Sequence, residues 1–218
     1  MVARIEFQRE INDLHQSIIR MGATVEQSIH ETIEALVDLD AKKAEVVIAR
    51  DDEIDDMERV IDHHCVEIIA RQQPVASDLR DVTSTLKLIT DLERIADHAS
   101  DISERILALC QHETKVAVPH DIVTIANMAS NMLHGALDAY VMRDQAKAEA
   151  IIGMDEQVDE RYENLKKYLV HLMKVDTANV DQLVELLLIC KYVERIADHA
   201  QNVAEWVVYY IQGRHRHE

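Results

Sequence analysis

The chain has 218 residues, 48% of them apolar, enough for a substantial core in one large domain or two small ones. Only 4 glycines, 2 prolines and a single phenylalanine interrupt a composition rich in aliphatic and acidic residues, which argues for helix almost throughout and against a sheet. The 41 acidic and 23 basic residues give a formal charge of -18, which argues against nucleic acid as a direct partner and against an anionic lipid surface, and favours metal cations or basic protein patches.

No apolar run is long enough to cross a bilayer, and the opening Met1 to Glu6 lacks the apolar centre of a signal peptide. A cytoplasmic protein is therefore expected. Cys65, Cys110 and Cys190 are odd in number, lack CxxC spacing and fall among helical apolar residues, so they read as small buried thiols.

Taken in chain order, apolar steps of three and four from Phe7 through Ile11, Leu14, Ile18, Met21, Val25, Ile29, Ile33 and Leu36 predict one long helix. Asp40 can cap a second, carrying Val47, Ile54, Ile61, Cys65 and Ile68. A break at Arg71 to Ala76 follows, and Ser77 is placed to cap a third helix through Val82, Leu86, Ile89, Leu92, Ala99 and Ile106. The polar stretch Gln111 to Lys115, followed by Pro119, marks a boundary.

Beyond it the order repeats. A fourth helix carries Ile122, Ile125, Ala129, Met132, Ala136 and Tyr140, and a fifth runs unbroken from Ile151 through Val158, Tyr162, Leu165, Leu169 and Leu172. A sixth begins near Thr177, and Gly213 to Glu218 reads as a frayed tail. The short turns make consecutive helices antiparallel, so the expected fold is all-α, two tandem up-down-up three-helix bundles. Residues 1–110 form the first, 111–120 the linker and 121–218 the second.

The segment Glu93-Arg94-Ile95-Ala96-Asp97-His98-Ala99 returns unchanged at Glu194 to Ala200, 101 residues later, which supports the internal repeat. Residues four apart share a helix face, so Glu93 lies beside Asp97 and Glu194 beside Asp198. On the second helix of each unit, Asp52 and Asp56 are matched with Asp155 and Asp159. The midpoint of 54 and 95 falls at Pro74 and that of 157 and 196 at Asp176–Thr177, both in predicted turns, so the two acidic pairs of each unit are expected at one level.

Four carboxylates together suit hard or borderline cations: magnesium, calcium, manganese or iron, with zinc in the wider set. Asp101, Asn202 and His63 are possible extra ligands; His98 and His199 point about 100° away from the acidic pairs. There is no Glu-x-x-His as in ferritin-like carboxylate proteins, no Gly-rich phosphate loop, no HExxH and no nucleophile elbow, so an enzyme is not expected. A metal-storing or redox carboxylate bundle is one alternative.

The segments Arg71 to Arg80, Leu92 to Asp97 and Tyr192 to Ala200 resemble the signature segments of the PhoU family of phosphate-uptake regulators, and the likeness covers almost the whole chain. Ala96 and Ala197 stand where members commonly have Gly. The resemblance implies two related three-helix bundles, a homodimer, and E/DxxxD motifs that bind metal clusters, here Asp52 with Asp56, Glu93 with Asp97, Asp155 with Asp159, and Glu194 with Asp198. It also implies an adaptor between the ATPase of a phosphate importer and a sensor histidine kinase, peripheral to the membrane only through them. Regulation of a single-subunit phosphate carrier is the other alternative.

Overall fold

In the computed structural model, which describes residues 2–213, seven α-helices follow one another and no strand occurs among the described residues. They are α1 (Val2–Asp38), α2 (Ala41–Gln72), α3 (Ser77–Cys110), α4 (His120–Met142), α5 (Gln145–Ile152), α6 (Asp155–Val175) and α7 (Val180–Gln212), with a 3₁₀ turn at Thr177–Asn179 before α7. The segment 214–218, expected to be a frayed tail, lies outside the described residues.

The anticipated stripe of α1 is the buried one: Ile11, Leu14, Ile18, Met21, Val25, Ile29 and Leu36 all lie in the core. Asp40 caps α2 by accepting from the backbone N–H of Lys42 and Lys43. Two local expectations are corrected. Ser77 does not cap α3; Ala76, at φ 51°, turns the chain so that Ser77 is already helical, and no side chain caps that end. The expected fifth helix is divided, because Gly153, of low helix propensity, closes α5 and α6 restarts at Asp155.

One unit packs α1, α2 and α3 together; the other packs α4 and the divided α5–α6 against α7. The units join through α3 against α7 and α1 against α4. Both pairs are antiparallel. Along α3, Arg80, Asp91, His98 and Arg105 meet successively lower positions of α7, from Tyr210 through His199 and Tyr192 to Glu185. Along α1, His15, Gly22 and Glu26 meet Tyr140, Leu137 and His134 of α4. A Cβ on Gly22 would stand 2.9 Å from the Leu137 methyl groups, so glycine permits this close approach.

The junction is a single apolar core, in which Ile95, Ala99 and Ile102 of α3 are as buried as Ile196, Ala200 and Val203 of α7. No helix among the described residues is long and apolar enough to cross a membrane.

Candidate metal centre

Each unit carries a carboxylate cluster where its second and third helical elements meet. In the first, Asp51 and Asp55 of α2 and Asp97 of α3 each offer an oxygen within 4.8 Å of the others. In the second, Asp155 and Asp159 of α6 and Asp198 of α7 do the same. Glu93 stands close enough to Asp97 and Asp55, and Glu194 to Asp155 and Asp198, for their charges to act on one another. The predicted pairs Glu93/Asp97, Asp155/Asp159 and Glu194/Asp198 are thus each brought to a cluster.

Asp52 and Asp56 are not. Both are exposed, and Asp56 is held by Arg59 one turn on. Their neighbours Asp51 and Asp55 take the place expected of them. The reason is the helix phase: Ile54 and Val158 are both fully buried and precede Asp55 and Asp159 by one residue, so these are the matching positions of the two units. A slip of one residue turns a side chain about 100° around the axis, enough to carry it from the seam to solvent. An overlapping DxxxD at 51/55 and 52/56 hid the choice, and the core residue beside it would have made it.

The extra candidates are committed elsewhere. His63 is exposed on α2, its ring 3.8 Å from Glu67. Asp101 lies 3.3 Å from the Nδ1 of His98, and Asn202 donates to Asp91 at 3.1 Å. Asp91 has no counterpart in the acidic motifs, yet it is buried and accepts from His199 (2.8 Å), Asn202 (3.1 Å) and the indole N–H of Trp206 (3.0 Å), all on α7. A lone aspartate beside Leu88, Ile89 and Leu92 was the available signal. The repeated histidines also face this seam: the His98 ring lies 5.6 Å from that of His199 and 5.6 Å from Tyr192. Burial, first among the causes, pushes the His98 pKa down.

The electrostatics describe an arrangement short of positive charge. Burial first, and then the charge of Asp97, push Asp51 up to about 6; the same causes carry Glu93 to about 7. In the second unit, burial followed by the charges of Asp159, Asp198 and Glu194 pushes Asp155 up to about 6. Burial and Glu194 raise Asp198 as well.

One oxygen each of Asp51, Glu93 and Asp155 is buried without a hydrogen-bond donor, a condition that a polar group ordinarily avoids. Arg94 approaches Glu93 at 3.3 Å and Asp97 at 2.6 Å, but it bonds only the latter well. In the second unit Lys191 is paired with Glu194. An all-oxygen donor set with orphaned, half-buried oxygens fits a hard cation, which would supply the missing charge to both helices at once.

Comparison with known proteins finds relatives over nearly the whole chain. The PhoU domain family model matches residues 18–106 and again 122–207. The phosphate-specific transport system accessory protein PhoU homolog of Clostridium acetobutylicum is 40% identical over 209 residues, covering 95% of each chain. The phosphate-specific transport system accessory protein PhoU of Escherichia coli is 34% identical over 211 residues, covering 96% of this chain and 86% of that one.

Among solved structures, PhoU from Pseudomonas aeruginosa superposes with a TM-score of 0.93 at 36% identity, covering 95% of this chain and all of that one. The phosphate transport system regulatory protein PhoU from Streptococcus pneumoniae gives 0.89 at 31% identity, with 95% and 98% covered. A chain with two matching repeats, related in sequence and fold over nearly its full length, belongs to the PhoU family.

Proposed function

We propose that this protein is a cytoplasmic, non-catalytic regulator of phosphate uptake and phosphate-starvation signalling, acting as an adaptor between the ATPase of a phosphate importer and a sensor histidine kinase. The observation that carries this reading is the near full-length relationship, at 33–40% identity, to proteins named as accessory to the phosphate-specific transport system. A helical body with one continuous core suits an adaptor: its outer faces are available to partners, including a second copy of the chain, without dismantling the interior.

Divalent or trivalent cations such as iron, manganese, magnesium, calcium or zinc would be held by Asp51, Asp55, Glu93 and Asp97 in one unit. In the other, Asp155, Asp159, Glu194 and Asp198 would hold them. A bound cation supplies positive charge. The carboxylates of α2 and α3, and of α6 and α7, then cease to repel across each seam, which fixes the spacing of those helices and the shape of the outer face.

Purified protein is mixed with the importer ATPase and with the kinase, with and without prior chelation, and capture is compared with that of Asp51→Asn/Asp97→Asn. Retention of both partners by the untreated protein, reduced on chelation and in the variant, supports the adaptor with its cation requirement. Failure to retain either partner sinks the adaptor. Undiminished retention by the metal-depleted protein and by the variant sinks the cation requirement alone.

A further inference from the structure

The end of the molecule remote from the linker carries two adjoining hollows, of about 370 and 280 Å³, that share Arg143 and Tyr210 as a common wall. The internal repeat shows what is unusual here. The close of α4, Ala139-Tyr140-Val141-Met142-Arg143-Asp144, matches the close of α1, Ala35-Leu36-Val37-Asp38-Leu39-Asp40. Both have a left-handed residue, Leu39 or Arg143, followed by an aspartate that caps the next helix. By the 101-residue repeat, Tyr210 of α7 answers Leu109 of α3.

Where the first unit closes with Leu36, Leu39 and Leu109, the second presents Tyr140, Arg143 and Tyr210. At the leucine end Gln182 ties down the linker, bonding the Thr114 carbonyl and the Val116 N–H, each at 3.0 Å. At the tyrosine end Asp81, the counterpart of Gln182, holds His15 at 2.8 Å, and the hollows are left open beside it.

The larger hollow is walled by aromatic rings, by the amides of Asn12 and Gln16, and by Arg143; no carboxylate lines it, in a chain of charge -18. The Arg143 guanidinium lies 5.0 Å from the Tyr210 ring centre and has no carboxylate partner among the described residues. Tyr140 is only 6% exposed, and its hydroxyl has no well-formed hydrogen bond. The nearby Thr85 hydroxyl donates its proton to the Asp81 carbonyl at 3.0 Å, so toward Tyr140 it can only accept. A buried phenol whose oxygen accepts from no donor, in the wall of a hollow, can take one from a ligand.

The smaller hollow adds Arg80, whose Nε donates to the Tyr210 carbonyl at 3.1 Å, and the uncapped first turn of α3. Asp78 and Asp81 also line it, and Asp81 is occupied by His15.

We propose that this end of the protein binds a mononucleotide, with the base against Tyr140 and Tyr210 within reach of the Asn12 and Gln16 amides, and the phosphate beside Arg143 and Arg80. Ring walls with convergent amides suit a flat, hydrogen-bonding base, and guanidinium groups suit a phosphate. The two hollows together provide for both parts of one ligand.

The experiment is isothermal titration of the full chain with AMP, GMP, CMP and UMP, and with adenosine and inorganic phosphate as separate probes. At least one mononucleotide is expected to saturate with a Kd below about 1 mM, its nucleoside and inorganic phosphate each binding roughly tenfold more weakly. Arg143→Gln is expected to weaken binding roughly tenfold, and Tyr140→Phe to weaken it measurably. Arg161→Gln, exposed on α6 away from both hollows, is a control variant expected to retain binding, and helical circular dichroism checks all three.

No saturable mononucleotide binding overturns the proposal. So does inorganic phosphate binding as tightly as the best mononucleotide, or a folded Arg143→Gln with unchanged affinity.

Discussion

Asp91 of α3 accepts a hydrogen bond from the Nδ1 of His199 on α7 at 2.8 Å, and this contact crosses the junction of the two units. The same carboxylate receives Asn202 and the Trp206 indole. A charged acceptor serving three donors resists their separation more than any one contact would.

Asp91→Ala should therefore cost about 3 kcal/mol of unfolding free energy, since it removes a charged acceptor and leaves three donors without it. Asp91→Asn should cost less. Urea denaturation followed by the fluorescence of Trp206, the single tryptophan, measures this; equal stability of Asp91→Ala and the parent would refute the clamp.

The helix phase separates neighbouring aspartates. Asp51→Asn with Asp55→Asn should lower the metal content of the purified protein, measured by elemental analysis, whereas Asp52→Asn with Asp56→Asn should leave it unchanged. A loss confined to the second pair would show that the buried Ile54 does not set the register of the site.

The raised carboxylates set the direction of a pH effect. Asp51 and Asp155 titrate near 6 and Glu93 near 7 in the folded chain, against about 4 when unfolded. The native state therefore holds these protons more firmly. The contribution to stability is complete below the unfolded values and is lost as pH rises through about 6 to 7.

Chelated protein should accordingly melt at a higher temperature at pH 6.5 than at pH 7.5. His98, pushed the other way, opposes this only as pH falls through its unfolded value of about 6.5 and below. Asp51→Asn with Glu93→Gln should flatten the difference. Added cation should reverse it, because protons compete for the same oxygens.

Ile95 lies between Glu93 and Asp97 on α3 and is fully buried. Ile95→Ala should cost about 3 kcal/mol, within the range for an isoleucine removed from a close-packed core. It should also weaken cation binding by loosening the helix that presents both acids. Denaturant unfolding and metal titration read the two effects separately.

The helices were largely legible because their apolar steps are regular and glycine and proline are scarce: the stripe of α1 and the Asp40 cap needed no tertiary information. The break at Gly153 was harder to see, since the apolar pattern runs on across it, and only the restart of α6 at Asp155 reveals it. Three of the four acidic pairs lay where helix spacing and turn position put them. The fourth failed because two DxxxD patterns overlap, and the choice rested on which neighbour is buried. Asp91 escaped motif reading: its apolar neighbours mark it as an aspartate in the core, but its partners lie more than 100 residues away and no local pattern names them.

The replacement of Leu36, Leu39 and Leu109 by Tyr140, Arg143 and Tyr210 gives a duplicated body a direction. Two equal halves about an antiparallel pair would be indistinguishable when turned end for end, and a neighbour could seat on either with the same energy. With an oily cap at one pole and an arginine-bearing, ring-lined one at the other, the molecule has a head and a tail, and whatever grips it can do so in one orientation only.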